Sequence, residues 1–285
     1  MGHNHGHVES AETKNLRLAF FLNFFFTIIE IIGGFFTNSV AILSDAIHDL
    51  GDTFSLGLAW YLQKVSQKER DEHFSYGYKR YSVLGALINV TILLVGSVFI
   101  LWETISRLLD PQEVHPEGMI ALALLGILVN GVAALRLKKG SSMNERVVAL
   151  HLLEDVLGWV AVFIGAIIML FWDVPILDPI LSILITGYIL FGVFKNLKKV
   201  LEVILQRIPS NVVLADIENY LSSKDGIKGY SDIHIWSLDG NFNIMTVNIQ
   251  TNEELSIDQM AKIKQDIHED LISMNVQHCT IELVF

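Results

Sequence analysis

The 285 residues are 52% hydrophobic and only 18% charged, whereas soluble domains carry about a quarter charged residues; long stretches must therefore avoid water, and a disordered or collagen-like chain is excluded. The formal net charge of −11, from 20 basic and 31 acidic residues, argues against nucleic acid as a partner, because phosphate backbones are held by clustered cations. A single cysteine, Cys279, rules out a disulfide framework or thiolate cage and leaves nitrogen and oxygen for any metal chemistry.

The first segment, residues 1–15, begins Met-Gly-His-Asn-His-Gly-His. The alternating His3, His5 and His7 form a composition able to bind zinc or other borderline metals weakly, as a flexible collector. Apolar runs long enough to cross a roughly 30 Å hydrocarbon core follow near Leu18–Phe36, Ser39–Leu62, Tyr81–Ile105, Met119–Leu137, Val147–Trp172 and Ile176–Phe194. They predict an all-α transmembrane bundle of six helices over residues 16–207. The second run contains Asp45, His48, Asp49 and Asp52, which a strict hydropathy window rejects. No signal-peptide pattern precedes the first run.

Fifteen Lys and Arg residues lie before span one or after spans two, four and six, and Arg107 stands alone on the opposite side. This positive-inside bias predicts cytoplasmic N- and C-termini. After Pro209 the composition becomes that of a small soluble domain, residues 208–285. A helix over Val212–Ser222, strands over Tyr230–Leu238 and Asn243–Thr251 joined at Asp239-Gly240-Asn241, a helix over Ser256–Met274 and a strand over Gln277–Phe285 give the order αββαβ. That order predicts an α+β module with its helices on one face of a three-stranded sheet.

Ionisable side chains at bilayer depth are costly unless paired or facing a polar cavity, so they mark functional sites. Span two offers His48 and Asp52, and span five offers His151 and Asp155. Each pair is His-x-x-x-Asp, a spacing that stacks both side chains on one helix face. The three-plus-three arrangement predicts an inverted repeat in which spans two and five converge. Two imidazoles and two carboxylates are four ligands for tetrahedral Zn²⁺, with no position reserved for a catalytic water. Asp45 and Asp49 line the approach path, stand in as ligands, or hydrate the helix. Asn23, Glu30, Asn89 and Asn130 are expected to be interhelical hydrogen-bonding groups.

Ser44-Asp45-Ala46-Ile47-His48-Asp49-Leu50-Gly51-Asp52, His151-Leu152-Leu153-Glu154-Asp155, Tyr76-Gly77-Tyr78-Lys79-Arg80 and His234-Ile235-Trp236-Ser237-Leu238 resemble the cation diffusion facilitators, in particular their bacterial zinc and cadmium efflux branch. The resemblance covers nearly the whole chain. It implies six helices with a metallochaperone-like cytoplasmic domain, a homodimer in the bacterial inner membrane among its lipids, and exchange of divalent metal for protons. Zn²⁺ is then the transported substrate and a regulatory ligand, and the transport site is His48, Asp52, His151 and Asp155. His234, His278 and Glu282 match tail metal positions of the family, although Asn248 stands where histidine is frequent. Of a further site in the loop between spans two and three, only Asp71, Glu72 and His73 remain.

The alternatives are the same fold carrying mainly cadmium, cobalt, iron or manganese, an intramembrane metallohydrolase, or a metal sensor. A hydrolase normally pairs three ligands with a glutamate in His-Glu-x-x-His. That motif does not occur, and Glu154 is the one acidic neighbour available.

Overall fold

The computed structural model describes residues 11–138, 143–251 and 256–284; the collector histidines His3, His5 and His7 lie outside them. Six long helices come first: α1 (Ala11–Thr37), α2 (Val40–Ser66), α3 (Tyr81–Leu109), α4 (Pro116–Lys138), α5 (Met143–Trp172) and α6 (Leu177–Ile204). Five of them are long and apolar enough to cross a membrane, over Phe20–Thr37, Tyr81–Leu109, Pro116–Lys138, Val148–Trp172 and Leu177–Ile204. Among the described residues α2 does not meet that standard, because Asp45, Asp49 and Asp52 interrupt its apolar run.

The chain forms two compact units, one of residues 1–58 and 88–195 and one of residues 59–87 and 196–285, so that α2, α3 and α6 each contribute to both. In the first unit, Phe26, Met119, Ala123, Trp159, Val162 and Ala166 form a continuous core between α1, α4 and α5, joined by Ile42 of α2. The approach of α4 to α5 needs Gly126: a β-carbon there would stand 2.5 Å from the Trp159 ring. Helix α2 is pinned by polar contacts instead. The Ser39 hydroxyl and the Val40 amide donate to the Asp178 carboxylate of α6 at 2.5 and 2.8 Å, and Ser44 and Thr186 share a hydrogen bond of 2.5 Å. Asp178 is fully buried. Its negative charge lies where the α2 macrodipole is positive and where amides lack intrahelical partners. The preceding turn passes through Asn38 at φ 54°, whose carbonyl accepts from Arg107 at 2.6 Å.

In the second unit the soluble module has the order α7 (Leu214–Ser223), β1 (Ile227–Ser237), β2 (Asn243–Thr251), α8 (Ile257–Ser273), β3 (His278–Val284), as the sequence predicts. The sheet order is β1-β2-β3, with β1 antiparallel and β3 parallel to β2. Ile217 and Leu221 of α7 and Ile267 and Leu271 of α8 pack on Ile235, Met245, Val247, Ile249 and Ile281, so both helices cover one sheet face. The opposite face carries the polar side chains that alternation along the strands leaves over. Burial in this core pushes the Cys279 thiol up to about 12, which keeps it inert. Lys224 Nζ, 2.8 Å from Asp270, bridges α7 to α8 and helps hold that carboxyl below its usual range, followed by the Tyr220 hydroxyl.

Asp178 is therefore the residue that sets where α2 begins. In Asp178→Ala, amide exchange at Val40 and Ala41 is expected to accelerate about 2–30-fold, the equivalent of the 0.5–2 kcal/mol of an N-cap. Exchange in β2 stays unchanged. Hydrogen-exchange mass spectrometry on the detergent-solubilised chain reads both segments in one experiment.

Candidate metal centre

His48 and Asp52 lie on adjacent turns of α2, and His151 and Asp155 on adjacent turns of α5. The two imidazoles meet edge to face, their centroids 5.7 Å apart. His151 Nε2 stands 2.6 Å from Asp52 Oδ2, and His48 Nε2 stands 3.7 Å from the same oxygen. Within α5, His151 Nδ1 is 4.0 Å from Asp155 Oδ1. His48, His151 and Asp155 each offer one ligand atom, all within 4.8 Å of one another. Tetrahedral Zn²⁺ with bonds of about 2.0 Å places its ligands roughly 3.3 Å apart, so a modest contraction of these groups would enclose an ion. The four residues singled out by their paired spacing are thus brought together between two helices.

Burial grades across the cluster. The Asp155 side chain is 5% exposed, whereas His48, Asp52 and His151 are 21, 29 and 37% exposed. Asp155 Oδ2 and His48 Nδ1 are buried without a hydrogen-bond partner, and buried polar atoms of this kind are rare in folded proteins. An atom 2.6 Å from a carboxylate oxygen must share a proton or a cation with it, since two lone pairs cannot approach so closely. His151 and Asp52 can therefore hold a proton between them or face a metal together, and a metal bound at both displaces that proton.

Asp45 and Asp49, also on α2, part company. Asp45 lies one turn from His48 and faces α5, where a β-carbon on Gly158 would stand 4.0 Å from its Oδ1. Asp49 is 1% exposed, and neither of its oxygens has a hydrogen-bond partner. The expectation that Asn23, Glu30, Asn89 and Asn130 are hydrogen-bonding glue holds for Asn23, whose Nδ2 donates to Thr53 at 3.5 Å. It does not hold for Asn130 or Glu30. Both are buried, and all their side-chain polar atoms lack hydrogen-bond partners. Glu30, an ionisable group on the first predicted span and 0% exposed, carries the same cost as the aspartates of α2.

The remaining candidates are placed differently. His234 pairs with Asp232 on its own strand at 2.9 Å. His278 and Glu282 are on β3, two strands from His234 in a sheet whose neighbouring strands are about 4.8 Å apart. Among the described residues these three do not form a metal-holding group. His278 instead meets the Tyr76 ring edge to face at 5.8 Å, and Glu282 stands opposite Asn248 in the β2–β3 register. In the loop after α2, Asp71 closes a turn: Oδ1 accepts from the His73 and Phe74 amides and Oδ2 from the Tyr78 hydroxyl at 2.6 Å. The Tyr78 bond is the leading reason its carboxyl is held low. Glu154 is exposed and accepts from Tyr188 at 3.0 Å, an engagement that does not fit a general acid or base for the metal cluster.

Residues 16–205 match the cation efflux transmembrane domain, and residues 209–283 match the cytoplasmic domain of cation efflux proteins. Among curated relatives, the cadmium, cobalt and zinc/H⁺-K⁺ antiporter of Bacillus velezensis is 33% identical over 99% of this chain and 92% of its own length. The metal cation efflux system protein CzcD of Cupriavidus metallidurans is 32% identical over 99% of this chain and 89% of its own length. The zinc transporter ZitB of Pectobacterium atrosepticum is 32% identical over the whole chain and 89% of its own length.

His48→Asp exchanges a borderline nitrogen for a hard oxygen while keeping four donors, so metal flux should survive with altered preference. Zinc is expected to lose ground to manganese and cadmium, and the pH profile to shift because one of two imidazoles is gone. Flux ratios for the three ions at two pH values test this. Ratios and profile equal to the parent's would remove His48 from the site.

Proposed function

Because the chain belongs to the cation efflux family, a group of membrane transporters and not enzymes, we propose that it exports Zn²⁺ from the cytoplasm in exchange for protons through His48, Asp52, His151 and Asp155. The observation that carries this reading is the convergence of α2 and α5 on these four side chains, with His151 and Asp52 2.6 Å apart. Four protein ligands close a tetrahedral shell and leave no coordination position for an activated water, which is the arrangement for carrying an ion. Zinc and protons compete for the same nitrogen and oxygen atoms, so the side facing high zinc loads metal and the side facing high proton concentration releases it. Cadmium and cobalt, named for the Bacillus relative, fit the same donors. Potassium, named there beside the proton, joins the list of counter-ions.

In this reading all six long helices span a bacterial inner membrane. Asp45, Asp49 and Asp52 of α2 face protein and a polar pathway, as charged residues in spans do. The boundary between the transmembrane and soluble parts falls at 207/208, with both termini in the cytoplasm, as the positive-inside bias supports. The soluble module, matched to the family's cytoplasmic domain, joins two copies into a homodimer. His234, His278 and Glu282 would need donors from the second copy to hold regulatory zinc, and residues 1–15 would collect metal near the cytoplasmic mouth.

Full-length protein in liposomes with an imposed pH gradient should move zinc against it, with release of protons as zinc binds. His151→Ala and Asp155→Ala should lower zinc affinity by more than the roughly 10–100-fold that follows loss of a ligand's supporting partner, and stop flux, while the chain still elutes as the parent does. Near-parental flux in either variant would sink the assignment. Tight zinc binding without flux in the parent would favour a sensor.

A further inference from the structure

Helices α4 and α5 pack along a seam with apolar layers at both ends. Met119 and Ala123 of α4 meet Val162, Ala166 and Met169 of α5 at one end, and Ala133, Ala134 and Leu137 meet Ala149 and Leu152 at the other. Contacts between the layers fix the register. A β-carbon on Gly126 would stand 2.5 Å from the Trp159 ring, and one on Gly131 would stand 3.9 Å from Val156. Residue numbers thus rise on α4 as they fall on α5, so Asn130, one turn after Gly126, lies level with Asp155, one turn before Trp159. Of the buried residues of α4, Asn130 alone is polar. Its level in the seam is that of the metal centre.

Four polar atoms on these three residues are buried without hydrogen-bond partners: Asn130 Nδ2 and Oδ1, Trp159 Nε1 and Asp155 Oδ2. They are complementary. The indole N–H only donates and an ionised carboxylate only accepts, whereas an amide does both. An amide between the two therefore satisfies every one of the four by turning its oxygen to Trp159 and its nitrogen to Asp155. We propose that Asn130 is a positioning residue of the zinc site, its Nδ2–H donating to Asp155 Oδ2 and its Oδ1 accepting from Trp159 as the site closes on its ion. The proposal rests on the transport site assigned above. Asp155 Oδ1, the oxygen 4.0 Å from His151 Nδ1, is then left for the metal. A carboxylate held this way ligates through one oxygen and keeps the shell tetrahedral; released, it can ligate through both and expand the shell to five donors.

The test uses the full-length protein in detergent. Zinc affinity is measured by competition with a chelator, and the shell is read from the visible absorption of the Co²⁺-loaded protein, whose bands are strong in tetrahedral sites and weaken as donors are added. Asn130→Leu keeps the approximate volume and removes the amide. Zinc affinity should fall about 10–100-fold, as on loss of a ligand's supporting partner, and the cobalt bands should weaken, while the variant elutes as the parent does. Asn130→Ala supplies the same measurement should the leucine variant not fold. Parental zinc affinity in a folded variant overturns the proposal. So does lost affinity with a parental cobalt spectrum, because the loss then comes from packing and not from the carboxylate. Asp155→Ala in the same assay separates this proposal from the reading it rests on. Parental affinity there removes Asp155 from the site and the transport assignment with it, whereas lost binding beside a parental Asn130→Leu leaves the site standing and ends only the role of Asn130.

Discussion

The chemistry of this chain sits on helices of a transmembrane domain, and the structure is organised around the cost of ionised side chains in that setting. A charge at the centre of a bilayer costs on the order of 3 kcal/mol on insertion scales, and more on an isolated helix. Helix α2 carries Asp45, Asp49 and Asp52 in one short stretch, and hydropathy does not favour it as a lone span. It is held by what surrounds it. Asp178 supplies the anion that its N-terminus lacks, Thr186 pairs with Ser44, and α5 brings His151 to Asp52. The helix that hydropathy rejects is the one the other helices are arranged to accommodate.

Helix geometry then divides the labour. At 100° per residue, His48, Asp52 and Asp45 fall within about 60° of one another, whereas Asp49 lies about 40° beyond Asp45. The first three face α5, as the contacts to His151 and Gly158 show. Asp49, turned further round the helix, is buried with neither carboxylate oxygen hydrogen-bonded. One stripe of α2 thus presents a mixed nitrogen and oxygen surface to α5.

Much of this was legible in the sequence. The paired His-x-x-x-Asp spacings named the four central residues because an i, i+4 repeat fixes a shared face whatever the tertiary packing. The αββαβ order followed from alternation in the strands and from turn chemistry at Asp239 and Gly240, whose φ is 91°. What could not be read was which polar groups find partners. Asn23 reaches Thr53 while Asn130 reaches nothing, and the two look alike in sequence because the outcome depends on the register between helices. Asp71 is spent on a local loop turn, and the strand order leaves His234 and His278 on strands separated by a third. Periodicity reports the face of a single element, but a contact needs the relative height of two.

That distinction explains why Glu30 looked unremarkable. On α1 it stands alone, four residues from no other acid or imidazole, so no spacing marks it. Its burial is set by how the helices pack around it. The general cost of burying a carboxyl applies to Glu30 as fully as to Asp49, and that cost needs no partner motif to be recognised. In a membrane protein, therefore, a lone buried acid carries as much functional information as a matched pair. The pair identifies the chemistry from sequence, and the lone acid is recognised by the burial that packing gives it.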